Sequence, residues 1–150
     1  MRIFILFLSI AIFFIACETE RQSPIDTVRA NYAAMGNEDI AAYLETVTGA
    51  RSAVAETLLS VFFEDYDVAY SIDSIELAGE IGNVAQVRTV VTSTDRGGPN
   101  KFHDNRMTAT HKLRLERGKW RIFFSEVEKP EMLEQRKPEP EDTVIRHKTS

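Results

Sequence analysis

Four side chains can do chemistry here if the fold brings them together: Tyr32, Tyr43, His111 and Trp120. His111 lies in a run where Met107, Ala109, His111, Leu113 and Leu115 alternate with polar residues. That period of two marks a strand buried on one face. An imidazole on a buried face can act as acid or base near neutral pH. Its plainer role is a core histidine whose ring nitrogens are hydrogen bonded, and a single histidine without a placed partner is not a site. Tyr32 and Tyr43 can each aim a hydroxyl inwards, or sit in the core with that hydroxyl bonded. Trp120 shares the buried face of His111. These four form a candidate pocket, and no catalytic residue is assigned.

Other chemistries find less support. The chain has one cysteine and three histidines, with His103-Asp104 near a loop and His147 near the C-terminus, so no zinc-type ligand spacing exists. Neither a metal nor a cofactor is implied. Ser71, Ser74 and Ser93 lack a nucleophile-elbow motif. Gly97-Gly98 precedes a proline and not a helix, so no phosphate cradle is formed. A net charge of −5 argues against nucleic-acid binding, which needs a basic surface to neutralise phosphates. On the polar side of the same strand, Arg106, Lys112 and Arg114 gather with Arg121 from the next segment. Such a patch can attract an acidic partner or anionic headgroups; the alternative is a solvated face neutralised by Glu116 and Glu126.

The elements that must position these residues are legible in the patterning. Ser23-Pro24-Ile25-Asp26 reads as a helix start, with Ser23 as N-cap. Ile25, Val28, Tyr32 and Met35 form its apolar stripe, and Gly36 reads as a left-handed stop. Asn37 is placed to cap a second helix whose inner face is Ile40, Leu44 and Val47. A third helix runs from Ser52 to about Glu64, with Val54, Leu58, Val61 and Phe62 as its stripe. From Val68 the pattern turns to strands: Val68 to Leu77, a turn at Gly79 to Asn83, then Val84 to Thr94 with Ala85, Val87, Thr89 and Val91 facing in. An irregularity is expected near Asp73-Ser74. Asp95 to Asn100 reads as a long, flexible loop. Arg117-Gly118 supplies a hairpin turn, which pairs Leu115 with Trp120, Leu113 with Ile122, His111 with Phe124 and Arg114 with Arg121.

Residues 1–16 are expected to be a signal peptide. Arg2 provides the positive start, and the apolar run from Ile3 spans only about 21 Å as a helix, short for a membrane crossing. Cys17 ends that run. Phe14-Ile15-Ala16-Cys17 resembles the bacterial lipobox, which implies a lipidated Cys17, a polar tether over 17–23 and a membrane anchor through acyl chains such as palmitate. Residues 128–150 mix prolines with charges and read as a disordered charged tail, with a short helix near Met132-Leu133.

Three amphipathic helices followed by antiparallel strands give an α+β class. Over 24–127 the chain resembles the nuclear transport factor 2-like superfamily, which includes SnoaL-like and ketosteroid-isomerase-like proteins. The carriers are the first helix, the Gly36-Asn37-Glu38-Asp39-Ile40 junction, Ile75 to Val87, and Leu113 to Ile122 with its Gly-Lys-Trp turn. The resemblance implies three N-terminal helices packed on a strongly curved, four-stranded antiparallel sheet that forms a cone. It does not carry the isomerase residues over: Asn31 stands nearest the family tyrosine, and Ala55 stands at the first acid position. The expectation is a lipid-anchored protein of the bacterial cell envelope, with a non-catalytic cone domain that binds a small molecule or a partner. Its partners would be the membrane, an apolar small molecule or a second copy in a homodimer. The alternative is a small isomerase, dehydratase or hydrolase acting on an apolar molecule in the cone.

Overall fold

The computed structural model describes residues 22–133, with the side chains of 50–53 left out. The expected signal peptide, Cys17 and the tail over 134–150 lie outside the described residues. Three helices come first: α1 (Pro24–Gly36), α2 (Ile40–Thr46) and α3 (Gly49–Asp65). Strands β1 (Val68–Ile81), β2 (Val84–Asp95), β3 (Asn105–Glu116), β4 (Lys119–Val127) and β5 (Glu131–Met132) follow. They form one open antiparallel sheet in the order β1-β2-β3-β4, with β5 also beside β3. The α+β class stands, but the sheet has five strands and not four. β3 runs past the end of β4, which leaves Asn105 and Arg106 with unpaired edge groups. The returning chain supplies Met132 and Glu131 to pair them, where a helical turn had been expected near Met132-Leu133.

α1 begins with a capping box. The Asp26 backbone N–H donates to the Ser23 hydroxyl at 3.1 Å, and the Ser23 N–H donates to the Asp26 carboxylate at 3.1 Å. The Ser23 hydroxyl donates to the Asp26 carboxylate at 2.6 Å, and this bond, with that of the Ser23 N–H, holds the carboxyl below its ordinary value. Along the helix Val28 and Tyr32 enter the core, and Ile25 packs against it. The C-terminal end departs from expectation. Gly36 stays helical, Asn37 is the C-cap at φ −97°, and Glu38 takes the left-handed position at φ 56°. The turn therefore lies further along, and Asp39 caps α2 in place of Asn37, accepting from the Ala42 N–H at 2.9 Å.

α3 is longer than its pattern predicts and is turned differently. Val54, Leu58 and Val61 are 62%, 64% and 56% exposed, and Leu59 is the buried leucine. The helix runs alongside α2, and its expected inner stripe is largely turned to solvent.

The β3–β4 hairpin turns at Arg117 (φ 51°) and Gly118 (φ 82°), the paired positive φ values of a type I′ turn. Leu115 faces Trp120, Leu113 faces Ile122 and Arg114 faces Arg121, as expected. Beyond Leu113 the register shifts. One extra residue on β4 puts Ser125 opposite His111 and Phe124 opposite Lys112. Phe124 is thereby turned to the outer face, 45% exposed. β1 also shifts register between Ile72 and Ser74, where an irregularity was expected, and again between Leu77 and Gly79. On β2, Ala85, Val87, Thr89 and Val91 are all buried as the parity required. The core joins them to Val28, Val47, Leu113, Trp120 and Ile122.

The segment after β2 is not a free loop. The Arg96 N–H donates to the Asp67 carbonyl and the Asn100 N–H to the Asp65 carbonyl, each at 2.9 Å. The Arg96 guanidinium donates to the Asp67 carboxylate at 2.6 Å and to the Gly36 carbonyl at 2.8 Å. At Gly98 an added Cβ would lie 2.4 Å from the Asp67 nitrogen, so only glycine permits this approach.

Candidate functional site

Two features could carry function, and the sequence pointed to only one of them. The first is a polar group inside the core. The Tyr32 hydroxyl on α1 lies 3.1 Å from His111 Nε2 on β3. Thr89 Oγ1 on β2 lies 3.3 Å from the same nitrogen and 3.4 Å from the Tyr32 hydroxyl. His111 Nδ1 meets Ser125 Oγ on β4 at 3.0 Å. His111 is 5% exposed, and the Tyr32 ring meets its ring edge to face at 5.6 Å. Three elements, α1, β2 and β4, thus converge on one imidazole of β3. Burial raises the Tyr32 phenol above its ordinary value, so that hydroxyl stays neutral and available for bonding. Both ring nitrogens are engaged by the three neighbouring hydroxyls, and Thr89 Oγ1 also meets the Ala109 carbonyl at 3.4 Å. Such a network specifies packing, because any member left unpaired in the core would be costly.

The other two candidate pocket residues stand elsewhere. Tyr43 is partly buried against the core on α2, and its carbonyl accepts from Thr46 Oγ1 at 2.6 Å. Trp120 is buried under α1, its carbonyl meeting Thr27 Oγ1 at 3.4 Å. Asn31, nearest the isomerase tyrosine position, donates its amide to Thr46 at 2.7 Å inside the helical layer.

The second feature is a chamber of about 540 Å³, open to solvent, lined by residues of α3, the sheet and the C-terminal end of α1. Leu58, Leu59 and Phe62 of α3 form one wall, and Ser93, Asn105 and Met107 stand on the strand side. Phe102 also lines it; its ring meets Tyr66, which in turn packs on Phe62 at 5.2 Å. None of the four candidate pocket residues lines this chamber. Tyr70 does, and burial pushes its phenol up to about 12. The signal for Ser93 was present in the sequence: it continues the inward parity Ala85, Val87, Thr89, Val91. Phe102 carried no signal, because it lies between the expected loop over Asp95 to Asn100 and the alternating strand from Met107, in no patterned element.

The basic patch is divided among local partners. Arg106 pairs with Asp73 at 3.1 Å. Lys112 sits over the Phe124 ring at 5.3 Å and Arg114 over the Phe123 ring at 4.9 Å. Arg121 reaches from β4 to the α2 end, donating to the Glu45 and Val47 carbonyls at 3.0 and 3.1 Å. Among the described residues no cluster of histidine, cysteine and carboxylate side chains could hold a metal. None of their helices is long and apolar enough to cross a membrane.

Residues 26–133 match the family described as anti-sigma-I factor RsgI9, C-terminal domain. The chain belongs to this family. A curated relative, anti-sigma-I factor RsgI9 of Acetivibrio thermocellus, is 34% identical over 97 residues. That match covers 64% of this chain but spans only 14% of the relative's length. Solved structures agree on the fold. A ketosteroid isomerase-like protein from Erwinia carotovora atroseptica is 20% identical with a TM-score of 0.52, covering 71% of this chain and 93% of that one. A nuclear transport factor 2-like protein of unknown function from Pseudomonas putida KT2440 is 14% identical with a TM-score of 0.55, covering 75% and 92%. The resemblance read in the helices and strands therefore holds at the level of fold.

The RsgI9 match corrects the functional expectation. The lipid-anchored envelope protein with a binding cone is overturned, and so is the small-enzyme alternative, since the family is that of a regulator's C-terminal domain. The expectation had been carried by the composition boundary at Cys17 and by general properties of the fold. Neither depends on the surface or site that distinguishes one member of a widely used fold from another.

Proposed function

We propose that this chain is a regulatory protein of the anti-sigma-I kind, contributing to the control of a sigma factor by contact and not by chemistry. The observation that carries the reading is the match over 26–133 to the C-terminal domain of such a regulator. The core geometry agrees with it. Tyr32, Thr89, His111 and Ser125 are hydrogen bonded to one another and none of them lines the chamber, which suits a rigid module better than a reacting centre.

The test is deletion of the coding sequence followed by transcript profiling. The expected outcome is a coherent change in one set of genes that share a promoter class read by a sigma-I-type factor, restored when the chain is supplied in trans. Transcript levels unchanged for every sigma-dependent set would overturn the reading.

A further inference from the structure

The β3–β4 hairpin turns on a residue ill suited to its turn. Both central residues of a type I′ turn take positive φ, which glycine, asparagine and aspartate tolerate and other side chains resist. Gly118 fits this at φ 82°; Arg117, at φ 51°, does not. A position that departs from local backbone preference points to a use for its side chain. Arg117 and Lys119 are both exposed, and among the described residues neither makes a side-chain hydrogen bond or an ion pair.

Both side chains stand on a cleft of about 640 Å³, lined by Gly49, Glu116, Arg117, Lys119 and Arg121. It shares no lining residue with the chamber. Arg121 is fixed in place by its bonds to the Glu45 and Val47 carbonyls. Three cations and one carboxylate leave the cleft with an excess of two positive charges, in a chain whose net charge is −5. Gly49 opens α3, and its cap residue Thr48 makes no side-chain bond to the first turn, so the helix start adds partial positive charge. The neighbouring cations of the sheet are engaged elsewhere, Arg114 over Phe123 and Lys112 over Phe124. Unneutralised positive charge is thus gathered at one concave point and not spread along the sheet, which focuses the field there.

We infer that this cleft binds a small hydrophilic phosphate monoester, its phosphoryl group held by Arg117, Lys119 and Arg121 and a hydroxyl of the remainder donating to Glu116. The charges match, since such a phosphoryl group carries about −1.5 to −2 at pH 7, and guanidinium and ammonium groups are its usual partners. A phosphodiester, as in a lipid headgroup, carries a single charge and matches less well. Among the described residues that line the cleft none is aliphatic or aromatic, so an acyl chain or a base gains no apolar contact there. The volume exceeds that of a phosphate ion and leaves room for a polyol or sugar. The site is independent of the sigma-factor reading: its test is made on purified protein, and neither result decides the other.

The test is an amide chemical-shift titration of the purified full chain with glycerol 1-phosphate, at low ionic strength because salt screens exposed charges. The expected result is saturable shifts centred on Gly49, Gly118 and Lys119. Glycerophosphocholine, a diester, binds at least about tenfold more weakly. Lys119→Gln and Arg117→Asn each weaken glycerol 1-phosphate binding about three- to tenfold. Arg117→Asn also gives the turn a residue it prefers, so the thermal midpoint does not fall and lost binding is not lost folding. Lys129→Gln, which removes an exposed cation beyond the far end of β4, binds as the unaltered chain does. Absence of a saturable shift, or shifts that neither cleft variant weakens, would overturn the inference. So would equal binding of the diester, or an equal loss in Lys129→Gln.

Discussion

Tyr32 and His111 show what a single buried residue demands of its surroundings. An imidazole at 5% exposure needs a partner for each nitrogen, and this fold draws them from α1, β2 and β4. Tyr32→Phe removes one hydroxyl from that group and is expected to lower unfolding free energy by about 1 kcal/mol, measured by urea denaturation. His111→Phe leaves the Tyr32, Thr89 and Ser125 hydroxyls short of a partner together and is expected to cost more, about 2–3 kcal/mol. An unchanged midpoint in both variants would contradict the network. The phenols add a pH dependence. Burial raises Tyr32, and raises Tyr70 to about 12, from an ordinary value of 10.0. Their contribution is fully present below that ordinary value and is lost as pH rises towards the folded value, because the unfolded chain releases the protons first. Alkaline titration followed by circular dichroism should therefore show stability falling above pH 10, less steeply in a Tyr70→Phe variant. The inward parity of His111 was readable from alternation alone. Its partner Ser125 was not, because the β4 bulge is written in no single residue.

At the scale of elements, starts were more legible than ends. The Ser23–Asp26 box was visible as Ser-Pro-Ile-Asp before an apolar stripe. Ser23→Ala is expected to cost about 1 kcal/mol. Because the Asp26 carboxyl is depressed by its bonds to Ser23, that contribution is present above the ordinary carboxylate value of 3.8 and is lost as pH falls through the folded value. The gap between the two proteins in thermal midpoint should shrink on acidification; a constant gap would contradict the capping account. The α1–α2 junction was harder to read, since Gly36, Asn37, Glu38 and Asp39 each suit a turn. Which of them takes the left-handed position depends on how the helices pack. The segment after β2 misled for a related reason: Arg96-Gly97-Gly98-Pro99 has the composition of a mobile loop. Here the glycine serves close contact with the Tyr66–Asp67 backbone. Gly98→Ala is expected to cost about 1–3 kcal/mol through overpacking and to speed proteolysis near Arg96 or Lys101. Cleavage at the rate of the unaltered chain would show that the segment is held by other means.

For the whole molecule, fold and function were legible to different degrees. Periodicity, caps and the Arg117-Gly118 turn were enough to assemble three helices and an antiparallel sheet, and the solved structures agree. What the domain does could not be read in the same way, because many unrelated activities use this architecture. The residues singled out for chemistry proved to be joined within the core or spread over separate elements. The chamber is lined from α1, α3 and the strands together, a tertiary fact with no local signature. The proposed role in sigma-factor control rests on the family match. Its most direct measurement is a two-component reporter in a host lacking both proteins: a sigma-I-type factor drives a reporter gene, with and without the full chain. The expected result is a severalfold change in reporter output when the chain is present, and no change from a constitutive promoter read by another sigma factor. Equal output with and without the folded chain would contradict it.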